Sequence, residues 1–101
     1  MTPARDCVGP VLEPGEIADA VIAAIREGGG DVTVQDRGAY LRVLVPERCV
    51  ARRDAIERAL GRPFHLPGDL ERVMPSFQGT IAIDDDRVQW SWAPREPGEA
   101  R

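Results

Sequence analysis

The chain has 101 residues and a formal net charge of −4, and hydrophobic residues make up 43% of it. This length predicts a single domain with one modest core. No apolar run reaches the ~18 residues of a membrane span, and residues 1–6 lack the apolar segment of a secretory signal. We therefore expect a cytoplasmic protein without membrane contact. The acidic balance argues against nucleic-acid binding, which normally requires a basic footprint.

All 13 basic residues are arginine, and lysine is absent. Arginine suits protein interfaces because its guanidinium binds planar acidic groups through two hydrogen bonds. Codon bias in a GC-rich genome would produce the same composition. Cys7 and Cys49 are expected to be free thiols, since the cytoplasm is reducing.

The first half of the chain reads as a strand, a helix and a hairpin. Residues 8–12 are apolar but contain Pro10, which lacks a ladder donor, so they predict an edge strand at best. A helix begins within 13–16 and ends at the glycines that start at Gly28. Strands at 31–36 and 39–45 are joined by a tight turn.

The second half predicts a helix, a short helical turn and a second hairpin. Residues 50–60 have helical spacing, and Gly61 ends that helix. A shorter turn follows at 67–72. Apolar residues then alternate along 77–83 and again along 88–92, with acidic turn residues between these strands. Residues 1–6 and 93–101 are predicted to be flexible tails.

These elements predict an α+β fold for a domain spanning residues 7–92. The order is β-α-β-β-α-(α)-β-β, which a two-layer sandwich satisfies, with one antiparallel-rich sheet and helices packed on one face. The residues expected in its core are Ile17, Val21, Ile25, Val34, Leu41, Val43, Ile56, Leu60, Ile81, Ile83 and Trp90.

Catalytic and metal-binding signals are weak. His65 is the only histidine, and the two serines, Ser76 and Ser91, do not lie in a nucleophile-elbow pattern. We interpret His65 as a partly buried loop residue. Cys7, Cys49 and His65 lack the close pairing of structural zinc sites. We expect no catalytic residue, no bound metal and no cofactor.

Other motifs have structural explanations. The glycines at 28–30 follow a helix, whereas a phosphate loop follows a strand and opens a helix. The aspartates at 84–86 lack the ligand spacing of a calcium loop and are typical of a polar turn. Trp90 and Trp92 indicate core packing rather than base stacking, given the acidic charge. Composition and spacing therefore point to a small domain that acts by binding.

Four segments carry a more specific signal. They are Val8–Val11, Val34–Arg42, Leu60–Phe64 and Ser76–Ile81. In this order and spacing they resemble the effector (coupling or regulatory) proteins of soluble bacterial diiron monooxygenases, of the toluene-monooxygenase type. The resemblance covers residues 7–92.

The resemblance implies a regulatory component without cofactor or catalytic activity. Such a protein docks on the diiron hydroxylase of an aromatic-hydrocarbon or alkene monooxygenase. Docking shifts helices that line the hydroxylase active site, and so alters oxygen activation, coupling and regiospecificity. The docking surface is expected to be shared with a ferredoxin, and the free protein to be a monomer. The physical logic is population shift, because the effector favours the hydroxylase conformation that it binds better.

The resemblance also implies a partner-binding segment. It comprises Met74, Ser76, Phe77, Gln78 and Gly79. Two alternatives remain open at this point, since Phe77 suits a core position and Met74 suits a gap in the core.

The first hairpin has a different expected role. Asp36, Arg37, Tyr40 and Arg42 are interpreted as residues that define the hairpin rather than as partner contacts.

Two other functions remain as alternatives. An α+β domain of this order can bind a small molecule between sheet and helices, as regulatory modules do. A small enzyme using His65 would instead turn over substrate without any partner.

Overall fold

The computed structural model describes residues 7–92, which form seven strands and three helices. In chain order they are β1 Cys7–Leu12, α1 Glu16–Glu27, β2 Thr33–Asp36, β3 Leu41–Pro46, β4 Arg48–Arg52, α2 Arg53–Leu60, α3 Gly68–Glu71, β5 Ser76–Gln78, β6 Thr80–Ile83 and β7 Arg87–Ser91. The predicted tails at 1–6 and 93–101 lie outside the described residues.

The strands form two antiparallel sheets. The first sheet has the strand order β2-β3-β1-β5, and the second has the order β4-β7-β6. Every pair of neighbouring strands is antiparallel. The predicted α+β class with antiparallel strands is confirmed, whereas the expectation that all strands share one sheet is corrected to two sheets.

β1 is an interior strand of the first sheet, not the predicted edge strand. It pairs with β3 on one side and β5 on the other. Pro10 is tolerated because the ladder with β3 pairs Val8 with Val45 and then resumes at Val11 with Arg42. The proline therefore lies in an interruption of that ladder, where its missing N–H costs little.

Gly9 explains this interruption. Its φ is +149°, and a Cβ added there would lie 2.2 Å from the carbonyl oxygen of Val43. Real side chains cannot approach a backbone oxygen so closely. The close approach of β1 to the backbone of β3 therefore requires glycine at this position.

β4 is a strand that the sequence interpretation missed. Cys49 and Ala51 are buried, Val50 between them is half-buried and the two ends are exposed, and β4 pairs with β7 along its whole length. The predicted helix from residue 50 therefore begins only at Arg53, whose N–H donates to the carbonyl of Asp86 at 2.7 Å. The alternating pattern of β4 spans only five residues, and the helical pattern that follows it is longer. Periodicity alone therefore favours a helix from residue 50.

The predicted strand at 77–83 is divided at Gly79. β5 pairs with β1 in the first sheet, whereas β6 pairs with β7 in the second. Gly79 has φ +103°, and a Cβ there would lie 2.7 Å from Cγ1 of Val8. Glycine therefore lets the chain pass from one sheet to the other directly against the core.

One apolar core joins both sheets and the helices. Five of the expected core residues are buried, namely Val21, Ile25, Val43, Ile56 and Trp90. Five others are half-buried and pack against that core, namely Ile17, Leu41, Leu60, Ile81 and Ile83. Val34 is half-buried on the edge strand β2 and lies outside the cluster, so its assignment to the core is wrong.

Replacing Gly9 with alanine tests the close approach of the β1 backbone to β3. Gly15 is a matched control, because its φ is +151° and no atom lies within 4 Å of an added Cβ. Both variants incur the cost of an unfavourable φ, but only Gly9→Ala adds a steric clash. We expect Gly9→Ala to lose about 1–3 kcal/mol or more of unfolding free energy beyond Gly15→Ala in urea titrations. Equal losses of unfolding free energy in the two variants would contradict the close approach of β1 to β3 at Gly9.

The buried thiol of Cys49 makes the free energy of unfolding decrease at alkaline pH. Burial raises the pKa of its thiol from 9.0 to about 12. The unfolded chain releases this proton at lower pH than the folded chain, so the folded state loses stability from about pH 9 up to about pH 12. We expect Cys49→Ala to flatten this loss, measured by urea unfolding at pH 8 and pH 10.5. The same alkaline slope in both proteins would show that the thiol does not remain neutral.

Candidate partner-binding surface

An open depression of about 410 Å³ runs along β1 in the first sheet. β1 supplies its central part, while the β3 side and the β5 side form its flanks. The residues that line it are Gly9, Pro10, Val11, Tyr40, Arg42, Val43, Leu44, Pro75, Ser76, Phe77 and Gln78. It therefore gathers three segments that are far apart in the sequence.

Strand register places polar side chains of this region on the face opposite the core. Val11 lies opposite both Arg42 and Ser76, and Gly9 lies opposite Gln78. Directly paired residues in antiparallel strands share a face, and successive residues alternate between faces. Val43, next to Arg42 in the chain, is buried in the core. Arg42, Ser76 and Gln78 consequently share the outer face of the first sheet.

Two exposed aromatic residues flank the depression. Tyr40 is 39% exposed and Phe77 is 40% exposed. The backbone carbonyl of Tyr40 accepts a 2.9 Å hydrogen bond from the N–H of Arg37, which fixes the end of the hairpin. Large apolar side chains that remain exposed on a rigid sheet are typical of a protein contact surface. The alternative of Phe77 as a core residue is therefore wrong.

A side-chain clamp connects the three central strands of this surface. The Nη2 of Arg42 on β3 donates to the Oε1 of Gln78 on β5 at 2.7 Å. The Nε2 of Gln78 in turn donates to the carbonyl oxygen of Cys7 on β1 at 2.8 Å. Gln78 thus holds β5 in register with its neighbours, and its amide is engaged within the protein.

The structure separates the predicted partner-binding residues into two groups. Ser76, Phe77 and Gln78 line the depression, and the first two are exposed. Met74 instead packs against the core, as its alternative interpretation as a gap filler had it. Gly79 lies against Val8, where it serves the crossing between sheets.

Tyr40 and Arg42 are the residues of this surface that sequence reasoning missed. The sequence alone favours a role for them in defining the hairpin. Their alternation with the apolar residues of β3 already put them on the opposite side from Val43, which was a usable signal. What the sequence lacked was the position of β5, which brings Phe77 to the same depression.

The remaining candidate residues have local structural roles. The His65 side chain is 82% exposed, so the expectation of a partly buried histidine is wrong. The N–H of His65 donates to the Asp69 carboxylate at 2.9 Å, and this bond lowers the pKa of Asp69. The Asp84 carboxylate accepts the N–H groups of Asp86 and Arg87, which lowers the pKa of Asp84 and closes the last hairpin.

Residues 7–92 hold neither a cluster of metal-ligating side chains nor a helix that could span a membrane. In this described part of the chain, no group of three or more His, Cys, Asp or Glu side chains is arranged so that it could hold a metal ion. Neither α1 nor the shorter helices have the length and apolar character that a bilayer span requires.

Comparison with known proteins assigns the chain to a family. The model of the MmoB/DmpM family matches residues 6–91. The chain belongs to this family. It is 41% identical over 88 residues to the effector subunit of the alkene monooxygenase system of Xanthobacter autotrophicus (strain ATCC BAA-1158 / Py2), covering 85% of this chain and 86% of the relative.

Solved structures of regulatory proteins have the same fold. A chain in the structure of a phenol hydroxylase–regulatory protein complex matches with a TM-score of 0.74 at 23% identity, over 86% of this chain and 98% of that one. The regulatory protein B of soluble methane monooxygenase matches with a TM-score of 0.66 at 18% identity, over 96% of this chain and 72% of that one.

Membership of the MmoB/DmpM family confirms the resemblance drawn from the sequence. The protein is an effector or regulatory component of a multicomponent monooxygenase, not its catalytic component. The depression along β1 is accordingly a candidate surface for partner binding rather than an active site.

Replacing Gln78 with leucine tests the clamp. Gln78→Leu keeps the approximate side-chain volume but removes the bonds to Arg42 and to the Cys7 carbonyl. We expect a loss of about 1–3 kcal/mol in unfolding free energy, measured in urea. Gln89→Leu is a matched control, because Gln89 accepts a 3.1 Å bond from Arg48 at an exposed site on the second sheet. An equal loss in both variants would contradict a special role of the clamp.

Proposed function

We propose that this protein docks on the diiron hydroxylase of an aromatic-hydrocarbon or alkene monooxygenase through the depression along β1. Docking tunes the geometry of the hydroxylase active site, and thereby oxygen activation, coupling and regiospecificity. The observation that carries the proposal is the pair of exposed aromatic residues, Tyr40 and Phe77, on a surface fixed by three paired strands. Ser76 and the backbone of β5 complete the contact.

The physical basis of regulation is differential binding. An effector shifts its partner's equilibrium only by as much as it binds one conformation better than the other. A rigid contact surface serves this purpose, because little of the binding free energy is lost in ordering it. The Arg42–Gln78 clamp supports this role, since it fixes β5 against β1 and β3.

The proposed function also covers the location of the protein, its oligomeric state and its competitor for the hydroxylase. The protein acts in the cytoplasm and is a monomer when free, and a ferredoxin competes for the same face of the hydroxylase. A formal net charge of −4 supports the monomer, since like charges oppose self-association.

A second candidate function is binding of a small molecule in the same depression. Its volume of about 410 Å³ lies within the range of ligand sites. The openness of the depression and the exposure of both aromatic rings favour a protein partner. A small ligand would bind the isolated protein without any hydroxylase, which a calorimetric titration would detect.

Replacing Phe77 with alanine tests the docking surface. We expect the Kd for the hydroxylase component to rise roughly tenfold, because exposed aromatic anchors carry much of the binding free energy of an interface. Trp92→Ala is a matched control, since Trp92 is 43% exposed but lies at the end of the second sheet. Kd is measured by titrating intact hydroxylase with each effector variant.

Adding bulk at Ser76 provides a complementary variant. Ser76→Trp should hold the two proteins apart and reduce stimulation of hydroxylase turnover, while urea unfolding stays near that of wild type. If Ser76→Trp and Phe77→Ala both stimulate like wild type, the depression is not the docking surface.

A further inference from the structure

Arg42 differs from the other arginines of the described part of the chain. Ten arginines lie in residues 7–92, and only Arg42 and Arg53 are half-buried. Arg53 has carboxylate oxygens of Glu57 and Asp86 at 3.9 Å each. Arg42 has no carboxylate of residues 7–92 within ion-pair distance, and its hydrogen-bond partner there is the neutral amide of Gln78. A partly buried guanidinium without a counter-charge is costly.

The geometry keeps this guanidinium ready for an anion. One Nη2 hydrogen bond to Gln78 holds it in place, whereas an arginine has five N–H donors in a planar fork. Arg42 also lines the depression itself, together with Tyr40 and Phe77. By strand alternation Tyr40 lies on the same side as Arg42, whereas Phe77 alternates with Ser76 and Gln78 and borders the depression from the other side of β5.

We propose that Arg42 binds a carboxylate of the hydroxylase component, and that an apolar side chain of the same segment packs against Tyr40. The inference rests on the proposed function and specifies the chemistry of the docking partner. The occupant is a protein segment that combines an aspartate or glutamate with a nearby apolar side chain. Charge complementarity argues for it, since a carboxylate supplies the counter-charge that residues 7–92 do not.

The test compares two arginines that make the same kind of bond at different places. Arg42→Gln removes a charge and a bond to a glutamine from the depression. Arg48→Gln removes a charge and a bond to Gln89 from the second sheet. The Kd of each variant for intact hydroxylase is measured over a range of salt concentrations, and folding is checked by urea unfolding.

We expect Arg42→Gln to raise Kd on the order of tenfold relative to Arg48→Gln, and to weaken the salt dependence of binding. Arg42→Lys keeps the charge without the planar fork, so it should retain the salt dependence with an intermediate Kd. This variant also keeps the test decisive if Arg42→Gln folds poorly.

Three outcomes would overturn the inference. Equal Kd values for Arg42→Gln and Arg48→Gln would exclude an anion at this site, while the proposed function would survive if Phe77→Ala still weakens binding. If Gln78→Leu reproduces both the Kd and the salt dependence of Arg42→Gln, Arg42 only positions β5. If wild type does not bind the hydroxylase, the proposed function fails as well.

Discussion

The structure depends on two places where backbones approach more closely than side chains permit. At Gly9, the backbone of β1 lies so close to the carbonyl of Val43 on the paired strand β3 that there is no room for a Cβ. At Gly79, the chain leaves the first sheet and enters the second directly against Val8. These two contacts let strands from both ends of the chain share one core, although 101 residues can bury only a small one.

Local periodicity predicted most elements but not their assembly. The helix α1 and both hairpins follow from spacing and turn residues that lie within a dozen positions of each other. The division at Gly79 and the interior position of β1 depend on contacts between distant segments. Pro10 favours an edge strand in the sequence, because a proline cannot donate to a ladder. The sequence does not reveal that the ladder between β1 and β3 is interrupted at this residue.

The candidate surface was predictable on its β5 side only. Ser76 and Phe77 were identified through the resemblance, and both are exposed at the depression. Tyr40 and Arg42 were assigned to the hairpin, because nothing in the sequence places β3 and β5 on either side of β1. Gln78 illustrates a further limit, since its side chain proved to be committed to Arg42 and Cys7.

The interior position of β1 has a consequence for biosynthesis. The strand at residues 7–12 leaves the ribosome long before residues 76–78, which form its second ladder. Pairing across so large a sequence separation closes late, because the entropy of loop closure must be overcome first. The surface along β1 therefore exists only in a nearly complete chain. A nascent or truncated chain without residues 76–78 would therefore lack the β5 side of this surface.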